Sequence, residues 1–213
     1  VCLPTKDNKD FFVRFYNSDG SEAGMCLNGI RCASKYVWKN AFAPLGNIRI
    51  QTKTKNLLCS PASKNKASVL VDYPSSINEI DLYKKIKRKV NREFFLSNIG
   101  NNHLCIKMNS IEKVDLILIY QDLEKLIKKF DINLSIFKKT KASVDIRTYE
   151  NGVGETLSCG SASLSVASHY LNNGFKSIKI SSMGGDLIFR DVKDGILMTG
   201  PTSFSYEGNV NES

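Results

Sequence analysis

Two cysteines sit where a thiol could do chemistry. Cys26 lies in MCLNGIRC, residues 25–32, and Cys159 in GETLSCGSAS, residues 154–163. Each precedes a run with apolar residues at helical spacing, which places each thiol at a helix N-terminus. There the first backbone N–H groups lack helical partners and carry the positive end of the helix dipole. Both effects favour thiolate over thiol, and the same N–H groups can hold a carboxylate. Gly160 and Ser161, small residues after the second thiol, let a substrate come close to the backbone. An isolated cysteine reads as a buried apolar residue. Two in matching settings read as an acid/base pair. A thiolate takes a proton from carbon and a thiol returns one to the opposite face, which inverts the centre. A proton alpha to a carboxylate is weakly acidic. Helix N-termini in a dry, closed site would meet the enolate-like charge. This design requires neither a metal nor an organic cofactor.

The elements that must hold the thiols repeat. Aligned on the cysteines, GSEAGMCLNGIRCASKYVW and GVGETLSCGSASLSVASHYLN share a Glu four residues before the thiol, Glu22 and Glu155. Asn28 and Ser161 follow two residues after it. Ala33-Ser34 and Ala167-Ser168 come next, one position out of step, then Tyr36 and Tyr170. Two copies of strand, turn, cysteine and helix predict two similar halves facing each other. The spacing predicts a strand over 10–17 ending at NSDGS, then a helix over about 29–39. NIRIQT, NLLCS and ASVLVDY read as strands, with KTKN as a tight turn and a boundary near 74–80. EFFLSNIGNNHLCIKMNS reads as strand, turn, strand. A short amphipathic helix is expected over 121–130. KASVDIRTYEN reads as a strand entering the Gly-rich turn NGVGET, and NNG stops the helix after Cys159. SIKISS, DLIFR, ILMTG and SFSY read as closing strands.

The bulk composition sets limits. The 213 residues, 42% apolar and 24% charged, suit one large or two small domains. Apolar runs such as 114–120 are far shorter than a membrane span. The opening VCLPTKDNKD has neither a signal-peptide pattern nor a start methionine, and reads as the middle of a longer sequence. Net charge is +9, but lysines are spread along the chain; even the densest run, YKKIKRKVNRE, reads as a solvated surface, not a nucleic-acid interface. The six cysteines include no CxxC pair. That argues against a zinc knuckle and a thiol redox protein; the chain is too large and its cysteines too sparse for a disulfide framework, so a reducing cytoplasm is the default. Cys32, Cys59 and Cys105, each beside apolar residues, read as core thiols.

The stretches FYNSDGSEAGMCLNGIRC, IGNNH, YENGVGETLSCGSAS and MTGP, in this order, resemble the diaminopimelate epimerase family over essentially the whole chain. A proline racemase would carry His where Asn28 sits. The resemblance implies an α/β (α+β) fold of two pseudo-symmetric halves. Each is a mostly antiparallel, β-barrel-like sheet around a central helix. The halves are 1–76, completed by 202–213, and 77–201. It implies interconversion of LL- and meso-diaminopimelate without a cofactor, in lysine biosynthesis and peptidoglycan precursor supply. The partner is then a small-molecule substrate, with no metal, nucleic acid or membrane, in a cytoplasmic protein for which a homodimer is possible. By the same resemblance Cys26 and Cys159 are the acid/base thiols, and His103 and Glu150 assist. Asn17, Leu27, Asn28, Asn101, Asn133, Glu150, Asn151, Gly160 and Ser161 contact the substrate. Gly160 and Ser161 would give backbone N–H groups to the reacting carboxylate, and Asn28 would do so from the other side. Three departures stand out. Leu27 takes room where the family has Gly, Asn151 replaces an Arg that helps hold the distal end of the substrate, and the family's N-terminal segment is absent. The chain therefore reads as a truncated or divergent member. An inactive remnant of the family and a related amino-acid racemase remain as alternatives.

Overall fold

The computed structural model describes residues 2–4, 10–16, 20–63 and 65–206. Asn17, expected at the substrate, lies outside them. The chain enters through β1 (Cys2–Pro4), β2 (Asp10–Val13), β3 (Phe15–Tyr16) and β4 (Glu22–Ala23), then forms α1 (Leu27–Lys39). Three strands follow: β5 (Ile48–Gln51), β6 (Asn56–Ser63) and β7 (Lys66–Val71). Their alternation sends Ile48, Ile50, Leu57, Cys59 and Val69 inward against α1. Next come β8 (Ser75–Ser76), α2 (Ile80–Lys89), β9 (Phe94–Asn98), β10 (Asn102–Lys107) and α3 (Leu116–Phe130). β11 (Ile132–Lys139), β12 (Val144–Glu150) and β13 (Gly154–Thr156) lead into α4 (Gly160–Asn172). The last strands are β14 (Ser177–Ser182), β15 (Gly185–Val192) and β16 (Gly195–Pro201).

All the described strands except β3 and β4 share one sheet, ordered β1-β2-β5-β6-β7-β16-β15-β14-β12-β11-β10-β9-β8, with β13 beside β12. The order is two mirrored copies meeting where β7 and β16 pair antiparallel. In one copy β2 runs parallel to β5, and β6 and β7 follow antiparallel. In the other, β12 runs parallel to β14, and β15 and β16 follow antiparallel. Each copy wraps a helix: α1 packs on β5, β6 and β7, and α4 on β10, β11, β14 and β15. The two helices also touch each other. The offset between Cys26 and Cys159 recurs between Leu27 and Gly160, Lys39 and Asn172, and the C-caps Asn40 and Asn173. The repeat is thus in strict register, and the one-step shift of the Ala-Ser pairs has no structural counterpart.

Burial separates the two helices. α4 is rich in Gly, Ala and Ser, so strands close on nearly every side; Ala162, Leu164, Ser165, Val166 and Ala167 have no exposed surface. α1 buries one stripe, Leu27, Ile30, Arg31, Ser34 and Val37. Cys32 falls off that stripe and is exposed, contrary to its reading as a core thiol; Cys59 and Cys105 are buried. A second core lies between α2, α3 and the strands β9–β11, around Leu82, Ile86, Leu104, Leu123, Ile127 and Ile136.

Several element boundaries differ from the sequence reading. α3 starts at Leu116, because Asp115 accepts from the N–H groups of Ile117 and Leu118 at 3.0 and 3.2 Å and caps the helix before LILIY. α2 was not expected at all. Leu82 and Ile86 pack on α3 while its lysines face solvent. SFSY forms no strand, and Thr202–Tyr206 run irregularly after Thr202 N–H bonds Asn65 O. The stop at NNG holds, with Gly174 at φ +93°.

Candidate active site

The mirrored halves bring both thiols to one cavity of about 530 Å³. The start of α1 gives Cys26, Leu27 and Asn28, and the start of α4 gives Cys159, Gly160 and Ser161. The helix starts abut: a side chain on Gly160 would put its Cβ 3.0 Å from Asn28 Oδ1 and 3.2 Å from Leu27 Cβ. Leu27 is buried on helical backbone. Positive φ among the described non-glycine residues occurs only at Ala41 and Asp131, so Leu27 meets no glycine-only conformation.

The two thiols differ. Cys26, half-buried, is the N-cap of α1 and its Sγ accepts from Gly29 N–H at 3.3 Å. Gly29 must lack a side chain, because a Cβ there would run into the Phe15 ring. Cys159 is 7% exposed, with Ser161 Oγ 3.4 Å from its Sγ. Burial pushes its thiol up to about 11, and the nearby Glu150 carboxylate adds to the rise. The Ser161 hydroxyl and the Ala162 N–H pull the other way and do not prevail. Position at a helix N-terminus therefore does not make Cys159 a resting thiolate; desolvation outweighs it.

Around Cys159 the hydrogen bonds are ordered. Glu150 ends β12 at the cavity wall and accepts from Thr156 Oγ1 at 2.6 Å. Asn101 Nδ2 donates to Ser161 Oγ at 3.4 Å, and Asn101 Oδ1 lies 3.1 Å from His103 Nε2. An amide oxygen only accepts, so the imidazole proton is assigned to Nε2. His103 is 0% exposed, and burial lowers it to about 4, so it is neutral. His103 does not reach the cavity wall itself; it connects to Cys159 through Asn101 and Ser161.

Asn133 also stands behind the wall. Its Oδ1 accepts the Asn151 N–H at 3.0 Å, and its Nδ2 donates to Asn102 O at 3.4 Å. Asn151 Nδ2 donates to Asp131 Oδ1 at 2.8 Å, and Asp131, which sequence reasoning missed, lines the cavity. The signal for it was slight: an acidic residue between KKF and an apolar strand, where a left-handed helix stop is needed. Thr54, Lys55 and Glu22 also line the wall.

The glutamates shared by the repeat both face cationic side chains. Arg147 Nε and Nη2 hold Glu155 at 2.6 and 2.9 Å, and Nη1 donates to Ile111 O and Val114 O. The guanidinium of Arg147 is thereby engaged by Glu155, Ile111 and Val114. At the equivalent place in the first half, Glu22 faces Arg14 at 3.6 Å and Lys53 at 3.9 Å. Among the described residues no group of three or more His, Cys, Asp or Glu could hold a metal ion. No described helix is long and apolar enough to cross a membrane. A larger groove of about 960 Å³ along the outer face of α1 contains neither Cys26 nor Cys159.

The family model for diaminopimelate epimerase matches residues 1–76 and 95–205. A diaminopimelate epimerase of Methanococcus maripaludis strain C5 is 30% identical over 99% of this chain and 83% of its own length. Another, from Methanocella arvoryzae, is 32% identical over 93% of this chain and 76% of its own length. Among solved structures, a putative phenazine biosynthesis PhzC/PhzF protein from Clostridium difficile aligns with a TM-score of 0.71 at 16% identity, covering 99% of this chain and 82% of that one. A predicted epimerase from Pseudomonas aeruginosa aligns with a TM-score of 0.71 at 11% identity, covering 100% and 83%. These two establish likeness of fold.

Proposed function

The chain belongs to the diaminopimelate epimerase family, and on that premise we propose that it interconverts LL- and meso-diaminopimelate by passing the proton of one α-carbon between two thiols. The observation that carries the proposal is a single cavity lined by Cys26 and Cys159, each the N-cap of an equivalent helix. The reacting carboxylate lies between the helix starts, where the N–H groups of Leu27, Asn28, Gly160 and Ser161 have no helical partner. One sulfur, as thiolate, removes the α-proton while the other, as thiol, delivers its proton to the opposite face. The carbon keeps four bonds with inverted configuration, and thiol and thiolate have changed places. Cys159 is the proton donor of the resting enzyme. The reverse direction uses Cys159 as thiolate and Cys26 as thiol, the form left by a forward turnover; reached from the resting form, it requires Cys159 to pass its proton to Glu150 and Cys26 to take one from water. His103, through Asn101, fixes the Ser161 hydroxyl on the Cys159 sulfur. The N–H groups and the closed site supply the acidification, so no cofactor takes part, and the product serves lysine and peptidoglycan precursor synthesis in the cytoplasm. The two halves divide after residue 76, the segment after Pro201 returning to the first.

The test is deuterium uptake at the α-carbon. Reduced protein is incubated with LL-diaminopimelate in deuterium oxide and the substrate is read by mass spectrometry. Uptake is expected from the native chain, with losses of at least about 10²-fold in Cys26→Ala and Cys159→Ala. Undiminished turnover of both isomers by either variant would sink the mechanism.

A further inference from the structure

We propose that the outer end of this cavity selects the side-chain ammonium of the substrate through Asp131, so that the protein also takes an α-amino acid with a distal ammonium and no distal carboxylate, such as lysine. The proposal rests on the two-thiol reading above and names the substrate class of that same site. Besides the thiols, the described ionisable groups on the wall are Glu22, Lys55, Asp131 and Glu150. Lys55 Nζ is held by Asp72 at 2.9 Å. Glu22 faces Arg14 and Lys53. Glu150 is engaged by Thr156 and sits against Cys159. Asp131 is left, and among the described residues no Lys, Arg or His forms an ion pair with it.

Its position is fixed from several sides. α3 ends at Asp131 in a left-handed turn, φ 47°, with the Asp131 N–H on Ile127 O, and β11 begins at the next residue. Asn151 Nδ2 holds Oδ1 at 2.8 Å, and the Asn151 N–H is itself held by Asn133. One carboxylate oxygen is thereby oriented, and no described hydrogen bond engages the other. A carboxylate steadied only by a neutral amide attracts a cation and repels a second carboxylate. A distal carboxylate would want a bidentate cationic fork. Asn151 supplies a neutral amide, and the guanidinium of Arg147 is spent on Glu155, Ile111 O and Val114 O. Diaminopimelate is then held at its far end by its ammonium, and its far carboxylate adds little.

The test compares three substrates in the deuterium-exchange assay. L-lysine has only the distal ammonium, L-2-aminopimelate only the distal carboxylate, and LL-diaminopimelate both. Lysine and diaminopimelate are expected to exchange with kcat/KM within about threefold of each other, and aminopimelate at least about tenfold more slowly. Asp131→Asn keeps the acceptor for Asn151 and suits a left-handed turn. It should lower exchange of lysine and diaminopimelate about tenfold while leaving aminopimelate unchanged or faster. Aminopimelate matching lysine, lysine at least about tenfold behind diaminopimelate, or an Asp131→Asn variant with an unaltered lysine-to-aminopimelate ratio would each overturn the proposal alone. No exchange on any of the three by folded protein would instead remove the two-thiol reading, and this proposal with it.

Discussion

At Cys159 two effects oppose each other: helix N–H groups favour the thiolate, while burial and Glu150 favour the thiol. Glu150→Gln removes the charge but not the burial. The titration of Cys159 is therefore expected to move down from about 11 yet stay above the ordinary thiol value. The rate of Cys159 alkylation against pH, read by peptide mass spectrometry, checks this; an unmoved profile contradicts it. Under the proposed mechanism, in which Glu150 is the acceptor for that proton, turnover should fall about 10²- to 10⁴-fold. His103 makes a separate prediction. Its folded pKa lies below the ordinary 6.5, at about 4. The neutral ring thus contributes stability above pH 6.5 that is lost as pH falls toward 4, on the order of 3 kcal/mol. In His103→Gln the urea midpoint should vary less across this acid range than in the native chain. An equal acid slope in both would show that His103 is not the group responsible.

The helix carries the repeat at the level of elements. Both site helices have the same length and a Cys N-cap, because local periodicity and capping demand little from the rest of the chain. α2 was illegible in the sequence. Its apolar residues are few and its length too short for a helix to stand alone, so α3 has to supply the partner. Two substitutions separate site from scaffold. Gly160→Ala places a Cβ against Asn28 Oδ1 and Leu27, and is expected to destabilise by about 1–3 kcal/mol and to reduce α-exchange. Asp115→Ala removes the cap of α3 far from the thiols, costing about 1 kcal/mol in the denaturant midpoint while exchange stays at the native rate. Reduced exchange in well-folded Asp115→Ala would mean that the two ends of α3 are coupled.

Across the whole molecule, net charge is +9, and the lysines that do pair form mostly exposed ion pairs, such as Lys107–Glu93 and Lys128–Glu124, which are worth little individually. The buried thiols matter more for the pH response. Burial raises Cys59 to about 12 and Cys159 to about 11, and raises Cys105 as well. Their contribution is complete below the ordinary value of 9.0 and is lost as pH climbs toward 11, because the unfolded chain then gives up protons that the folded chain keeps. Urea midpoints should therefore fall between pH 9 and 11, and less steeply in Cys59→Ala. A flat profile over that window would contradict the burial of these groups.

The sequence by itself determined the two capping thiols, the shared glutamates, the stop at NNG and the two-half architecture. Each of these follows from neighbours a few residues apart or from a repeat visible along the chain. Tertiary structure alone decided that Cys159 rests as a thiol, that His103 connects to Cys159 through Asn101 and Ser161, and that Arg147 turns to Glu155. It also placed Asp131 in the cavity and Cys32 at the surface. Burial and the choice of hydrogen-bond partner depend on which distant strands close around a residue, and no local pattern encodes that.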